Sequence, residues 1–315
     1  MRHVTLGKTG IAVSRLCFGT LTLGPLQANL PLEEGAEILA HAIRQGVTFF
    51  DTAQIYQTYP YLRRAMKLAG RYDITIATKT YAHTREQTAL ALEEARRELG
   101  RDVIDIFLLH EQESEHTLRG HTEALEYLLE QKQRGVIRAA GASMHYIAAV
   151  DGAVGLGLDV IHPLLNMRGL GIADGARADM EAALLRAHKS GTGIYSMKPL
   201  GGGVLFREAD KCLAYITALQ YIDSVAIGMQ NVEEVDANID FFREGRFPGS
   251  AKIALENKAR RLHIADWCEG CGRCAVRCRQ RALRIQGGTA LCEREKCVLC
   301  GYCAAVCPVL AIKIV

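Results

Sequence analysis

The sequence predicts an α/β chain in two parts: a closed barrel of eight parallel strands, (β/α)8, followed by a small cysteine-rich α+β unit. Three observations lead there. Short β-branched or apolar runs alternate eight times with amphipathic stretches between residues 15 and 228. No GxGxxG follows an early strand, so an open dinucleotide-binding sheet lacks its phosphate loop. Nine of the eleven cysteines lie at or after position 268, which marks a second unit. Eight βα repeats in a chain of this length favour a closed barrel over a doubly wound sheet.

The eight runs are 15–20, 48–52, 74–79, 103–110, 137–143, 160–166, 193–198 and 224–228. Between them, 84–99 (with ALALEEARREL) and 121–132 place leucine and alanine on one face at helical spacing. Gly46, Gly100, Gly135 and Gly191 stand where such helices would stop. The expected division is a barrel over 1–250, a helical connector over 251–265 and a cysteine-rich unit over 266–315. No apolar run suits a signal peptide or a membrane span. Unpaired cysteines at metal-type spacing belong to a reducing compartment, so a cytoplasmic protein of a low-oxygen setting is expected.

Net charge is +3 overall, yet residues 251–315 hold 12 Lys and Arg against 5 Asp and Glu. A thiolate-ligated cluster is anionic, and Arg273, Arg277, Arg279, Arg281, Arg284 and Lys296 offset that charge better than they suggest nucleic acid. The same residues would steer an acidic electron-transfer partner.

The tail carries CxxCxxCxxxC twice, as Cys268, Cys271, Cys274 and Cys278, then Cys297, Cys300, Cys303 and Cys307 followed by Pro308. Four-cysteine zinc sites pair two CxxC knuckles and have no use for the third and fourth cysteines of each run. The spacing predicts two 4Fe-4S clusters. Cys292 is read as a packed extra residue, and Cys17 and Cys212 as core.

In the barrel, chemistry belongs at the C-terminal ends of strands. The second run ends in Asp51 with Tyr56 beyond it, the third in Lys79 and the fourth in His110. Four titratable groups at three successive strand ends form a candidate catalytic set. A strand-end ion pair, a core histidine and a loop tyrosine are the structural alternative.

Two resemblances sharpen this. The tail resembles the two-cluster bacterial ferredoxins, which implies cluster I on Cys268, Cys271, Cys274 and Cys307 and cluster II on Cys297, Cys300, Cys303 and Cys278; Arg279 stands where a second proline would follow. LGKTGIAVSRLCFGT, FFDTAQIY, IATKT, DIFLLH, GVIRAAGASMH, MKPLGGG and AIGMQNVEEVDANI resemble the aldo-keto reductases, a TIM-barrel family, over about residues 4–240. That resemblance implies Tyr56 as proton donor to a carbonyl, Lys79 held by Asp51 to lower the tyrosine pKa, and His110 orienting the oxygen.

It further implies a nicotinamide pocket at Ser143, Asn166, His162, Met197, Lys198, Gly228, Met229, Glu234 and Asn238. Met144 and His162 depart from the usual amide groups, Met197 from the stacking aromatic, and Gly228 and Glu234 from the cations that clamp a 2′-phosphate. NADH is thereby favoured over NADPH.

Three functions follow. The first is carbonyl reduction, or alcohol oxidation, with a nicotinamide. The second is reduction of a carbonyl by electrons entering through the clusters from a ferredoxin or similar protein. The third is an electron-transfer or assembly subunit with an idle barrel. Arg168 and Arg207 are read as a hint of an anionic substrate group.

Overall fold

The computed structural model describes residues 1–249 and 258–315. A hairpin of β1 (His3–Thr5) and β2 (Ala12–Ser14) opens the chain. Eight strands follow, β3 (Leu16–Gly19), β4 (Phe49–Asp51), β5 (Thr75–Thr80), β6 (Ile104–Gln112), β7 (Ile137–Met144), β8 (Val160–Pro163), β9 (Gly193–Met197) and β10 (Ser224–Gly228). All are parallel, and β10 pairs with β3 to close the barrel. Each expected run contains one of these strands.

The helices between them are α1 (Leu32–Arg44), α2 (Tyr59–Ala69), α3 (Arg85–Leu99), α4 (Glu115–Gly120), α5 (Thr122–Gln133), α6 (Ile147–Gly155), α7 (Arg177–Ser190), α8 (Ala209–Ala218) and α9 (Val232–Glu244). Local signals set their ends. The Thr84 hydroxyl accepts from the Gln87 amide to start α3, and Gly100 ends it at φ 66°, a conformation that costs a residue without Cβ little.

Two apolar layers hold the barrel. Inside it, Cys17, Phe49, Ala77, Ile106, Leu108, Ala139, Val160, Tyr195 and Ala226 pack on Leu6, Ile11 and Val13 of the hairpin segment, which plugs the bottom. A larger layer joins the outer strand faces to the helices. Cys17 lies in the inner layer, and Cys212 is buried in α8, as expected of core cysteines. No helix among the described residues is long and apolar enough to cross a membrane.

The second unit is built from β11 (Leu262–Ile264) paired antiparallel with β14 (Ile312–Ile314), a hairpin of β12 (Leu283–Gln286) and β13 (Thr289–Cys292), and the single turn-and-a-half helix α10 (Arg273–Arg277). The expected helical connector needs correction. Residues 251–257 lie outside the described residues, 258–261 form no helix, and 262–264 are a strand, because Leu262 and Ile264 pair across to Ile314 and Ile312.

This unit sits on the loop that follows β9. The Ile314 amide donates to the Gly202 carbonyl at 3.1 Å. Gly203, at φ 86°, faces the Ile314 carbonyl oxygen so closely that a Cβ there would fall on it. Gly171 likewise lies against Leu310, and Gly301 against Val204. At Gly203 backbone meets backbone, while Gly171 and Gly301 make room for the Leu310 and Val204 side chains.

Candidate functional site

At the C-terminal rim, the buried ammonium of Lys79 lies 2.9 Å from the Asp51 carboxylate and donates to the Thr52 carbonyl at 2.8 Å. The Tyr195 hydroxyl donates to the other Asp51 oxygen at 2.9 Å. Burying an ion pair is tolerable only when such further bonds satisfy both partners. A run of hydroxyls fixes the neighbouring loop: Thr58 bonds Thr20 at 2.7 Å and Thr52 at 2.8 Å, and Thr20 donates to the Asp51 carbonyl.

This loop carries Tyr56 in a single 3-10 turn. Its hydroxyl is 3.4 Å from His110 Nε2, and Lys79 Nζ lies 4.8 Å from its ring centre. Tyr81 stacks on the other side of His110, ring centres 4.4 Å apart. The four expected residues are thus brought together.

Electrostatics correct one expectation. The Tyr56 hydroxyl titrates well above its ordinary value, because desolvation and then the charge of Asp51, Glu111 and Tyr81 oppose ionisation. Lys79 donates to Asp51 and Thr52, and its charge beside the ring does not outweigh that burial. Tyr56 stays protonated.

His110 titrates well below the usual imidazole range through burial and then Lys79. His145 is lowered well below it by burial and then Lys198. His162 falls to about 4, burial outweighing Asp51. All three rings are neutral at neutral pH.

Folded values lie below those of the unfolded chain, so below about pH 6.5 the unfolded state binds more protons. Stability is therefore full above that pH and falls as pH drops toward 4. For His162 the loss at pH 5 is on the order of 2 kcal/mol, and His110 and His145 act in the same direction. The urea midpoint of the barrel's helical signal is expected to be lower at pH 5 than at pH 7; equal midpoints would contradict the neutral assignment.

A cleft of about 1080 Å³ opens from Asp51 and Tyr56 along β9 and β10. Of the expected pocket residues, His162, Met197, Lys198, Gly228 and Glu234 line it. Ser143 instead accepts the Glu111 amide at 2.8 Å, and the Asn166 amide is bonded within its own loop to Leu170 and Arg168. Met229 is buried in the outer core, and Asn238 donates to Glu234 inside α9. Glu234 takes Lys258 at 2.6 Å.

Three contributors escaped the sequence: Tyr195, Tyr81 and Lys313. An aromatic on an inward strand position and another in the loop after β5 were the signals available for the first two. Nothing local marked Lys313. Arg168 also needs correction as an anion contact: it pairs with Glu208 at 2.9 Å and, like Arg207, lies off the cleft lining.

In the second unit, Cys268, Cys271, Cys274 and Cys307 line one cavity of about 300 Å³. Cys278, Cys297, Cys300 and Cys303 line another of about 380 Å³. Backbone amides of Ala290, Ala311 and Ala282 point at the sulfurs of Cys268, Cys307 and Cys278, at 3.3–3.4 Å. Such donors stabilise thiolate charge. Cys292 lines neither cavity, and burial and the neighbouring Cys297 push its thiol up to about 11.

Residues 15–211 match the aldo/keto reductase family, and residues 293–313 match the 4Fe-4S binding domain. L-galactose dehydrogenase of Arabidopsis thaliana is 25% identical over 284 residues, spanning 74% of this chain and 86% of that protein. An aldo-keto reductase of Bacillus halodurans in its holo form superposes with a TM-score of 0.66 at 20% identity, covering 81% of this chain and 95% of its own. A Bombyx mori aldo-keto reductase in complex with NADP gives 0.61 at 17% identity, covering 81% and 91%. At these identities the structural likeness speaks for the fold alone.

Proposed function

Because the chain belongs to the aldo/keto reductase family, we propose that it interconverts a small carbonyl compound and its alcohol at Tyr56, and that its tail holds two 4Fe-4S clusters feeding that reaction. The observation that carries this is one arrangement: Tyr56, His110 and the Lys79–Asp51 pair meet at one end of a cleft whose wall includes Lys313, Ile314 and Val315 of the cysteine-bearing unit.

Two cavities with four cysteines each, in the sets a two-cluster ferredoxin would use, support the ligand assignment. No three His, Cys, Asp or Glu side chains among the described residues converge on a single ion position. Zinc needs four ligands at one point, whereas a cubane takes one thiolate at each iron. The clusters, when bound, would supply electrons one at a time, two for each carbonyl.

Reduction of C=O to CH–OH also takes up two protons. Tyr56, always protonated, gives one to the oxygen. His110 Nδ1 is buried without a partner, which suits the tautomer with its proton on Nε2, and Nε2–H then holds the same oxygen. Lys79, over the tyrosine ring, stabilises the phenolate left after transfer. Solvent restores that proton and supplies the one at carbon.

The arranged residues fit a nicotinamide dinucleotide poorly. Ser143 and Asn166 are committed elsewhere, Glu234 is tied to Lys258, and Gly202 and Gly203 of the loop after β9 are covered by β14. No step is assigned to it. One observation favours the nicotinamide reading: the cleft continues from Tyr56 to Gly228 and Gln230.

An idle barrel is disfavoured, since the tetrad assembles in full. A reduced ferredoxin-like donor of the cytoplasm is the proposed partner, guided by the basic tail. Anaerobic mixing of the cluster-loaded protein with NADH or NADPH is expected to leave cluster absorbance and EPR unchanged, while a reduced ferredoxin supports turnover. Bleaching by either nucleotide, or nucleotide-driven turnover after cluster removal, would overturn the cluster route.

A further inference from the structure

The cleft over Tyr56 is closed on one side by a lysine from the other unit. Lys313 of β14 is only 5% exposed, yet it lines the cleft and, among the described residues, makes no hydrogen bond or ion pair; the Trp267 ring lies 4.5 Å from its Nζ. Facing the same space is Lys198 at the end of β9, held at φ 56°. Its ammonium donates to His145 Nε2 at 2.9 Å, a neutral acceptor that leaves the charge uncompensated.

Other charges near this cleft are spoken for. Asp51 is bonded by Lys79 and Tyr195, Lys258 by Glu234, and Arg260 spreads over the Phe206 ring at 4.2 Å. Glu111, the acidic group acting on both lysines, accepts from the Tyr81 hydroxyl. Among the described residues, two ammonium groups therefore border a cavity whose carboxylates, Asp51 and Glu234, are bonded to other groups. Desolvation first, then Lys198, lowers Lys313 to about 7; Lys198 falls to about 8. Burying unpaired charge is costly, and the arrangement calls for an anion.

We propose that Lys313 and Lys198 bind the carboxylate of the substrate, which is then a small oxo acid with its C=O held at Tyr56. This rests on Tyr56 acting on a carbonyl, and makes the cluster-bearing unit a contributor to substrate recognition. Carboxylate and ammonium form a charge-assisted hydrogen bond in a desolvated site, where an amide of the same shape gains less.

The test titrates the anaerobic, cluster-loaded protein calorimetrically with pyruvate, 3-oxobutanoate and 4-oxopentanoate, each against its amide. At least one acid is expected to bind ten-fold or more tightly than its amide. Lys313→Met should abolish that preference and Lys313→Arg should retain most of it. Should the first variant disturb β14, Lys198→Met on the barrel side should give the same loss.

No acid-over-amide preference for any of the three, or a preference surviving both Met variants, would overturn the site. So would weakened ADP-ribose binding in Lys313→Met with oxo-acid binding unchanged, which assigns the lysines to a dinucleotide diphosphate. Lysine-dependent binding without any reduction keeps the anion site and removes the carbonyl chemistry. Reduction of acids and amides alike, independent of Lys313, does the reverse.

Discussion

Tyr56→Phe is expected to lower carbonyl turnover by about 10²- to 10⁴-fold, the usual worth of a positioned proton donor. The change removes one oxygen. The ring keeps its edge contact with His110, centres 5.6 Å apart, and its place under Lys79. The hydrogen-bonded threonines that fix the loop are untouched. The loss should therefore appear in kcat with little change in KM, the mark of an interaction made in the transition state. Circular dichroism and cluster absorbance should match the parent. Full residual reduction by the variant would remove Tyr56 from the mechanism.

Removing the proposed clusters by chelation is expected to unfold residues 258–315 and to leave the barrel intact. The unit's core is Leu262, Leu283, Ile312 and Ile314 with alanines and cysteines. Such a core buries too little apolar surface to offset the entropy of ordering so many residues, and ligation must supply the difference. The barrel has its own two layers and needs none of it. Hydrogen exchange should show protection lost at Arg261, Ala265, Ile314 and Val315, whose amides bond within or across the unit, and kept in β3 to β10. Persistent protection of the tail without clusters would contradict this.

The barrel was legible because each strand is a run of apolar or β-branched residues bounded by glycine or charge, such as TIATKT and SVAIG, and local pattern decides it. The tetrad was legible for a related reason: a residue at a strand's C-terminal end faces the rim whatever the loops do. Cysteine spacing is likewise local. What stayed hidden is non-local. Leu262–Ile264 is three residues whose strand state depends on β14, dozens of positions later, so the alanine-, lysine- and arginine-rich stretch before it read as a continuing helix. Lys313 gained meaning only from the cleft it enters. The ionisation of Tyr56 turned on burial and on Asp51 as a neighbour, neither visible in order of residues.

Gly203 makes the seat of the second unit depend on one position of the barrel. Any side chain there must displace the Ile314 backbone and also accept φ 86°. A barrel that acquired even alanine at this position would lose the seat for its tail while keeping every catalytic group. Residue 203 thus decides, within the barrel's own sequence, whether a tail can seat there, and a tail grafted onto another barrel would need a glycine at that place before its cysteines were of use.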